Sequence, residues 1–481
     1  MRMTRQDEAN RLGRGTILTL AGVLVLAAAL RVPELGRDSV WMDEAVSWFQ
    51  ARDGFFEMLR RTAQDNYPPL HNVVLWLTIK LFGDGEAALR APSALFGLAT
   101  ILAVFALGRE LGGTRAGLIA AFALALAPIE IVQSRNARMY TLFSLTATLF
   151  LWAAARHLRR PSSANAVAGG IAALAMLHAH LYGSFVFASA IAAVLALHLA
   201  TGAPDRRAVI GWVSAQGVAL LLFLPWLAIL FGRARALSGS GFWIREPTAE
   251  RIGVMVTQVL PLPALLLCGV VLAAGVALIF RARQGGQRAK SVAFVAITVT
   301  GAIALSYGIS LMVMPVMSPR YFIFAVPAVL AVTGAVLAIP SVPAVARWGA
   351  TALLAISLAA PAWRAISEPG FHRDWRALAA KHAELAWPDE PIVIYPRHAQ
   401  LAFLYYGGGG NPPPRLLTGS TGELASEPGH RVWFALRATG PEESRWLTEI
   451  NARTGRVAEH RFDFHWLQLH SFVSEGDAQS Q

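Results

Sequence analysis

Cysteine is all but absent: Cys268 stands alone, inside an apolar run. No intrachain disulfide can form, and cysteine usage leaves the redox compartment unread. Charge is equally scarce, at 15% of residues against 55% hydrophobic, and that excludes a single water-soluble core clothed in charged side chains. Metal-ligand spacing is lacking too. His178 and His180 lie two apart, and on a helix such a pair points in different directions. Gly407 to Gly410, followed by Pro412 to Pro414, form a poorly helical turn with no phosphate-binding strand and helix around it. There is no internal repeat and no long low-complexity segment. The first apolar run leads into Arg31-Val32-Pro33 without a convincing small-residue cleavage site, so it reads as a retained anchor rather than a cleaved signal.

What is present is apolar sequence in long stretches, with a mean hydropathy of +0.47. The pattern is that of a polytopic α-helical membrane protein. The formal charge of +12 does not point to nucleic acid, because the basic residues cluster in short segments between apolar runs, as topology requires. After a basic N-terminus at 1–15, spans are expected at 16–32, 91–108, 116–132, 139–155, 164–181, 183–200, 208–231, 253–280, 291–313, 321–339 and 345–362. That is about eleven transmembrane helices, each near the length a bilayer needs. Arg2, Arg5, Arg11 and Arg14 place the N-terminus in the cytoplasm, and the basic loops at Arg109, Arg156, Arg206, Arg281 and Arg347 keep the alternation. Leu70 to Phe82, apolar for only a short run and carrying Lys80, reads as an interfacial or re-entrant helix within a first outer loop at 33–90.

The composition changes near residue 366. Charged residues, Pro and Gly become frequent, and 366–481 reads as a small C-terminal α/β soluble domain. Pro391 to Tyr395 and Arg431 to Leu436 are expected as strands and Glu442 to Thr454 as a helix. By span count the domain lies on the same side as the 33–90 loop.

Residues suited to chemistry gather at the rims of the apolar runs. Asp43 and Glu44 follow Trp41, where an interfacial helix would begin; acids in a first helical turn suit the dipole, and a carboxylate shielded by apolar neighbours can act as a general base. Asp65 precedes Asn66, Tyr67, two prolines and His71; it is either a turn residue or a second acid, with Tyr67 and His71 as cavity lining. The loop Gln133 to Tyr140 holds Arg135 and Arg138 against the positive-inside trend, and Arg320 beside Tyr321 is a third such cation. Guanidinium groups grip phosphate bidentately, although arginines snorkelling to lipid head groups explain any one of them alone. Glu130 is a rim acid without an assigned task, and 232–252, with Phe242 and Trp243, is a candidate lid.

Trp41 to Ala45, Tyr67 to His71, Leu89 to Leu95, Ser134 to Tyr140 and Ser318 to Tyr321 together resemble the bacterial GT-C glycosyltransferases. The likeness is to those related to protein O-mannosyltransferases, aminoarabinose transferases and rhizobial lipopolysaccharide galacturonosyltransferases. It covers about residues 15–365, and the tail with Asp374-Trp375-Arg376 is similar to the variable soluble domain of such proteins. The resemblance implies a GT-C fold, a polyprenyl-phosphate-linked sugar donor, an extracytoplasmic acceptor (lipid, glycan or protein) and an active site on the outer face of a bacterial inner membrane. It implies Asp43 as base and Glu44 as the matching second acid. Arg135, Arg138, Arg320 and Tyr321 are expected at the donor phosphate, with Asp65, Tyr67, His71 and Tyr140 lining the substrate cavity. No cofactor is required by the sequence, and a divalent cation is admissible without a motif that compels one. The long soluble insertion of eukaryotic protein O-mannosyltransferases is lacking, which argues against protein O-mannosylation.

Three rivals stay open: a lipid-linked glycan transporter, an oligosaccharide ligase or polymerase, and a sugar-lipid binding protein without catalysis. A transporter is expected to carry ionisable groups near mid-membrane, broken helices or inverted repeats; here the charges lie at the rims.

Overall fold

A computed structural model describes residues 12–201, 206–237, 244–282, 286–368, 374–387, 390–407, 415–417, 431–436 and 441–474. The glycine-proline turn after Gly407, and Phe242 and Trp243 of the candidate lid, lie outside these residues. The chain divides into two compact units. One comprises residues 1–33, 54–83 and 88–368; the other comprises 34–53, 84–87 and 369–481. Sequence composition draws its boundary near 366, whereas the second unit also takes in 34–53 and 84–87 from the 33–90 segment.

The first unit is a helical bundle. Among the described residues, Arg14–Arg31, Glu86–Gly112, Arg206–Arg233, Gln287–Met312 and Ala344–Ser367 are long and apolar enough to cross a membrane. Two of the expected spans are not straight. Thr114–Ala125 and Pro128–Ser134 meet at 62°, and Ala249–Val259 and Leu262–Ala273 at 88°. Both breaks fall just ahead of or at proline, which lacks the N–H a continuous helix needs and forces the preceding residue out of the helical region. Tyr140–Arg159, Ser163–Ala179, Tyr182–Thr201 and Ala325–Leu337 supply the remaining apolar helices. Leu70–Phe82 is a helix of 13 residues, about two-thirds of what a perpendicular crossing needs.

The first bend is braced by Arg31, whose side chain is wholly buried. Its guanidinium donates to the carbonyls of Ala125 at 2.8 Å and Leu124 at 3.1 Å, in the last turn of helix Thr114–Ala125, where Leu124 also accepts the Ala127 amide at 3.1 Å. Just beyond the bend, the buried Glu130 accepts from Ser144 Oγ at 2.5 Å. The rim acid of the sequence is therefore an interior group that ties Pro128–Ser134 to Tyr140–Arg159. Gly97 allows the close approach here, because a Cβ at that position would overlap Ser134 Oγ.

The second unit is built on a five-stranded sheet of order β2-β1-β3-β5-β4, where β1 is Ile392–Tyr395, β2 Leu416–Leu417, β3 Arg431–Leu436, β4 Arg456–Phe464 and β5 Leu467–Ser474. β1 runs parallel to β2 and β3; β5 is antiparallel to both β3 and β4. Period-two alternation puts Val432, Phe434 and Leu436 into a core with Val393, Ile450 and Phe472. Trp433 is buried beside His382 of helix Trp375–Leu385, ring centroids 5.6 Å apart.

His382 has a pH signature. Burial pushes its imidazole down to about 4 from its ordinary value of 6.5, so the native unit keeps it neutral where the unfolded chain takes a proton. The stability this gives is complete above pH 6.5 and is lost as pH falls towards 4. The loss amounts to about 3 kcal/mol at most. Hydrogen exchange of β3 amides at pH 7 and pH 5 is expected to show weaker protection at the lower pH. His382→Phe is expected to flatten that difference; an unchanged difference would exclude the imidazole as its source.

Candidate functional site

In the bundle unit, the turn Asn66 to Pro69, the loop Arg135 to Met139, the junction at His180 and the 3-10 turn Pro319–Phe322 bring their side chains to one cluster. Tyr67 Oη and Tyr321 Oη share a hydrogen bond of 2.7 Å. The Arg138 guanidinium lies over the Tyr67 ring at 5.1 Å, and that of Arg320 over the Tyr140 ring at 5.5 Å. Tyr140 is completely buried and Arg138 is only 5% exposed. Burial pushes the phenol of Tyr67 above its ordinary value, while both arginines pull the other way. Two guanidinium charges held against aromatic faces have the chemistry to attract an oxyanion such as phosphate.

The loop carrying Arg138 is held by its backbone. His71 Nε2 bonds the Ala137 carbonyl at 3.2 Å, and Ser93 Oγ donates to the Arg138 carbonyl at 3.2 Å. Arg135 Nη1 donates to the Pro33 carbonyl at 2.8 Å. His71 therefore braces the arginine loop, and Arg135 ties that loop to the end of the first helix. Asp65 Oδ1 accepts from the Asn66 amide at 2.7 Å, within the turn.

Asp43 and Glu44 belong to the second unit, in the first turn of helix Met42–Ala51. Glu44 is fully buried and its Oε2 accepts from the Trp41 amide at 3.3 Å, an arrangement that caps the helix start. Asp43 is half-buried, and its carbonyl accepts from Ser47 Oγ at 3.2 Å. This helix packs on Gln400–Gly407, with Trp48 edge-on to Tyr405 at 5.1 Å. Tyr406 accepts the Val40 amide at 2.6 Å and donates to Glu86 at 3.0 Å. Arg376 pairs with Glu86 at 2.7 Å and reaches the Gly36 carbonyl at 3.0 Å, while Asp374 accepts from Ser39 at 3.2 Å. Asp374-Trp375-Arg376 is thus a clasp on the segment that presents Asp43.

Sequence reasoning places His178 and His180 near this face but gives neither a role, and the structure brings His180 into the cluster. It sits between Ser163–Ala179 and Tyr182–Thr201, with its ring 4.9 Å from Tyr321 and stacked on Phe143 at 4.9 Å. Gly183 permits this tight junction, since a Cβ there would stand 2.5 Å from the Met176 carbonyl. The available signal was two apolar runs separated by a single residue, which puts their junction at a rim. His178 turns elsewhere, bonding the Leu174 carbonyl at 3.0 Å. Among the described residues no group of 3 or more His, Cys, Asp and Glu side chains is placed to hold a metal ion.

The hydroxyl pair gives a first prediction for the cluster. Tyr321→Phe leaves the Tyr67 hydroxyl without that partner and is expected to cost about 1–3 kcal/mol. Tyr67→Phe combined with Tyr321→Phe is expected to recover part of the loss in thermal unfolding. Additive losses would show that the two hydroxyls do not depend on each other.

Residues 66–229 match the family model described as dolichyl-phosphate-mannose-protein mannosyltransferase. Among solved structures, apo ArnT from Cupriavidus metallidurans superposes with a TM-score of 0.64 at 16% identity, over 95% of this chain and 97% of that one. The same protein bound to undecaprenyl phosphate gives 0.60 at 14% identity, over 96% and 98%. The Archaeoglobus fulgidus oligosaccharyltransferase AglB, in complex with an inhibitory peptide and a dolichol-phosphate, gives 0.55 at 12% identity, over 88% and 69%. No curated protein sequence matches the chain. The matches identify a multi-pass membrane protein of the GT-C fold, with a mannosyltransferase-like segment that contains Tyr67, Arg138, Tyr140 and His180.

Proposed function

We propose that the chain is a glycosyltransferase that moves a sugar from a polyprenyl-phosphate carrier to an acceptor hydroxyl outside the cytoplasm of a bacterial cell. The observation that carries this reading is the pair Arg138 and Arg320 set against Tyr67, Tyr140 and Tyr321. A structural relative of the same fold binds undecaprenyl phosphate, which favours phosphate on a lipid as the anion.

In this reading the two guanidinium groups neutralise the phosphate, so that it leaves as the sugar is transferred. The acceptor oxygen bonds to the anomeric carbon from the face opposite the phosphate, the bond from that carbon to the phosphate oxygen breaks, and the configuration inverts. The acceptor proton passes to Asp43, the general base that the resemblance assigns. One acid suffices because a charge-neutralised phosphate needs no proton to depart, unlike the leaving group in glycoside hydrolysis. Glu44 serves by setting the helix that carries Asp43, and Arg135 and His71 by holding the Arg138 loop. The protein supplies no cation in this scheme, and one carried by the phosphate is compatible with it.

The test is mass spectrometry of membrane glycolipids and envelope glycans from cells with and without the gene. A product that disappears on deletion while an unused polyprenyl-phosphate sugar accumulates supports transfer and identifies the sugar. A change confined to the distribution of an unaltered lipid-linked glycan would favour a flippase. Loss of long glycan chains with the monosaccharide donor unaffected would favour the ligase or polymerase.

A further inference from the structure

The cluster contains one donor that this transfer scheme does not use. His180 Nδ1 accepts the backbone N–H of Tyr182 at 3.1 Å. A ring nitrogen that accepts a hydrogen bond carries no proton, so in the neutral imidazole the proton sits on Nε2. That Nε2 is buried and has no hydrogen-bond partner among the described residues, and His180 as a whole is 1% exposed. An orphaned buried donor is costly, and native interiors retain few of them without a purpose.

The surroundings indicate what it awaits. The ring is flanked by Tyr321 at 4.9 Å, Tyr67 at 5.7 Å and Tyr140 at 5.9 Å, the same three aromatics that seat the arginines. Arg138 and Arg320 both act electrostatically on it. An N–H among two guanidinium charges is matched by an anion's oxygen, since a further cation would be repelled and a hydroxyl leaves those charges unanswered.

We infer that His180 Nε2–H is a hydrogen-bond donor to the lipid-borne phosphate, working beside Arg138 and Arg320. This rests on the transferase reading of the site and adds a residue to it. The two arginines supply charge and planar forks of donors; the imidazole N–H adds a further donor, fixed in direction by its own neighbours. The Tyr182 amide orients the ring, and stacking on Phe143 prevents it from turning.

The experiment uses the full chain in nanodiscs, with undecaprenyl phosphate and undecaprenol as probes read by native mass spectrometry. Wild type is expected to prefer the phosphate over the alcohol. His180→Phe keeps the aromatic packing and removes the N–H; its affinity for undecaprenyl phosphate is expected to fall about tenfold, with undecaprenol retention unchanged. His180→Gln, which restores a donor, is expected to recover part of the loss, an outcome packing alone would not give. Equal undecaprenyl phosphate affinity in wild type and His180→Phe, with Arg138→Gln still weakened, overturns the inference and leaves the transferase reading standing. No preference for the phosphate in wild type overturns both. Should His180→Phe not fold, ¹⁵N spectra of labelled wild type decide the matter: the Nε2 resonance moves with undecaprenyl phosphate and not undecaprenol if the inference holds, and stays in place if it is wrong.

Discussion

Replacing Arg138 by Gln is expected to lower sugar transfer by about two to three orders of magnitude, the range found when one preorganised donor to developing charge is removed. The phosphate must accept an electron pair as the glycosidic bond breaks, and a buried guanidinium over a tyrosine face offers stabilisation without reorganising. Arg138→Lys keeps the charge and loses the planar fork, so it is expected to fall between wild type and Gln. The measurement is transfer from a polyprenyl-phosphate sugar in reconstituted membranes, alongside undecaprenyl phosphate binding. Because the Arg138 carbonyl accepts from Ser93 and its neighbour Ala137 is held by His71, the loop keeps backbone anchors that do not involve the replaced side chain. Full activity in Arg138→Gln would remove this arginine from the phosphate and leave it the role of a buried cation packed on Tyr67.

Much of this site is legible in the amino-acid sequence, for a physical reason. A membrane bundle hides its apolar faces in lipid and in itself, so polar side chains that interrupt apolar runs at their ends stand out. Tyr67, Arg138, Arg320 and Tyr321 stand out in that way. His180 does not, because Ser163–Ala179 and Tyr182–Thr201 follow each other so closely that the junction resembles one apolar stretch. Nor does Arg31, which reads as the polar end of a span until the bend beside it exposes the carbonyls it caps. Bends of 62° and 88° are set by Leu126-Ala127-Pro128 and Leu260-Pro261, and a hydropathy window averages across both. The grouping of Glu34–Asp53 with the tail depends on pairings such as Ser39 with Asp374 and Arg376 with the Gly36 carbonyl. Partners separated by hundreds of residues leave no local pattern to read.

Substituting Asp43 by Asn is expected to reduce transfer by about two to four orders of magnitude, the contribution typical of a positioned general base, while leaving undecaprenyl phosphate binding unchanged. The two acids of the pair differ in their settings. Glu44 is buried and its carboxylate closes the first helical turn on Trp41, so Glu44→Gln, which retains an acceptor for that amide, is expected to cost far less activity than Asp43→Asn. Asp43 is half-buried, a setting compatible with an acceptor hydroxyl approaching it. Asn conserves the volume, and removes the charge together with the capacity to take a proton. A split between lost turnover and intact donor binding would assign Asp43 to proton transfer and separate it from Arg138, whose loss weakens both. If Asp43→Asn turns over like wild type, the base lies elsewhere and the resemblance on which this assignment rests does not extend to the chemistry. If donor binding collapses with turnover, Asp43 orders the donor, and the proton acceptor must be sought among groups not yet assigned.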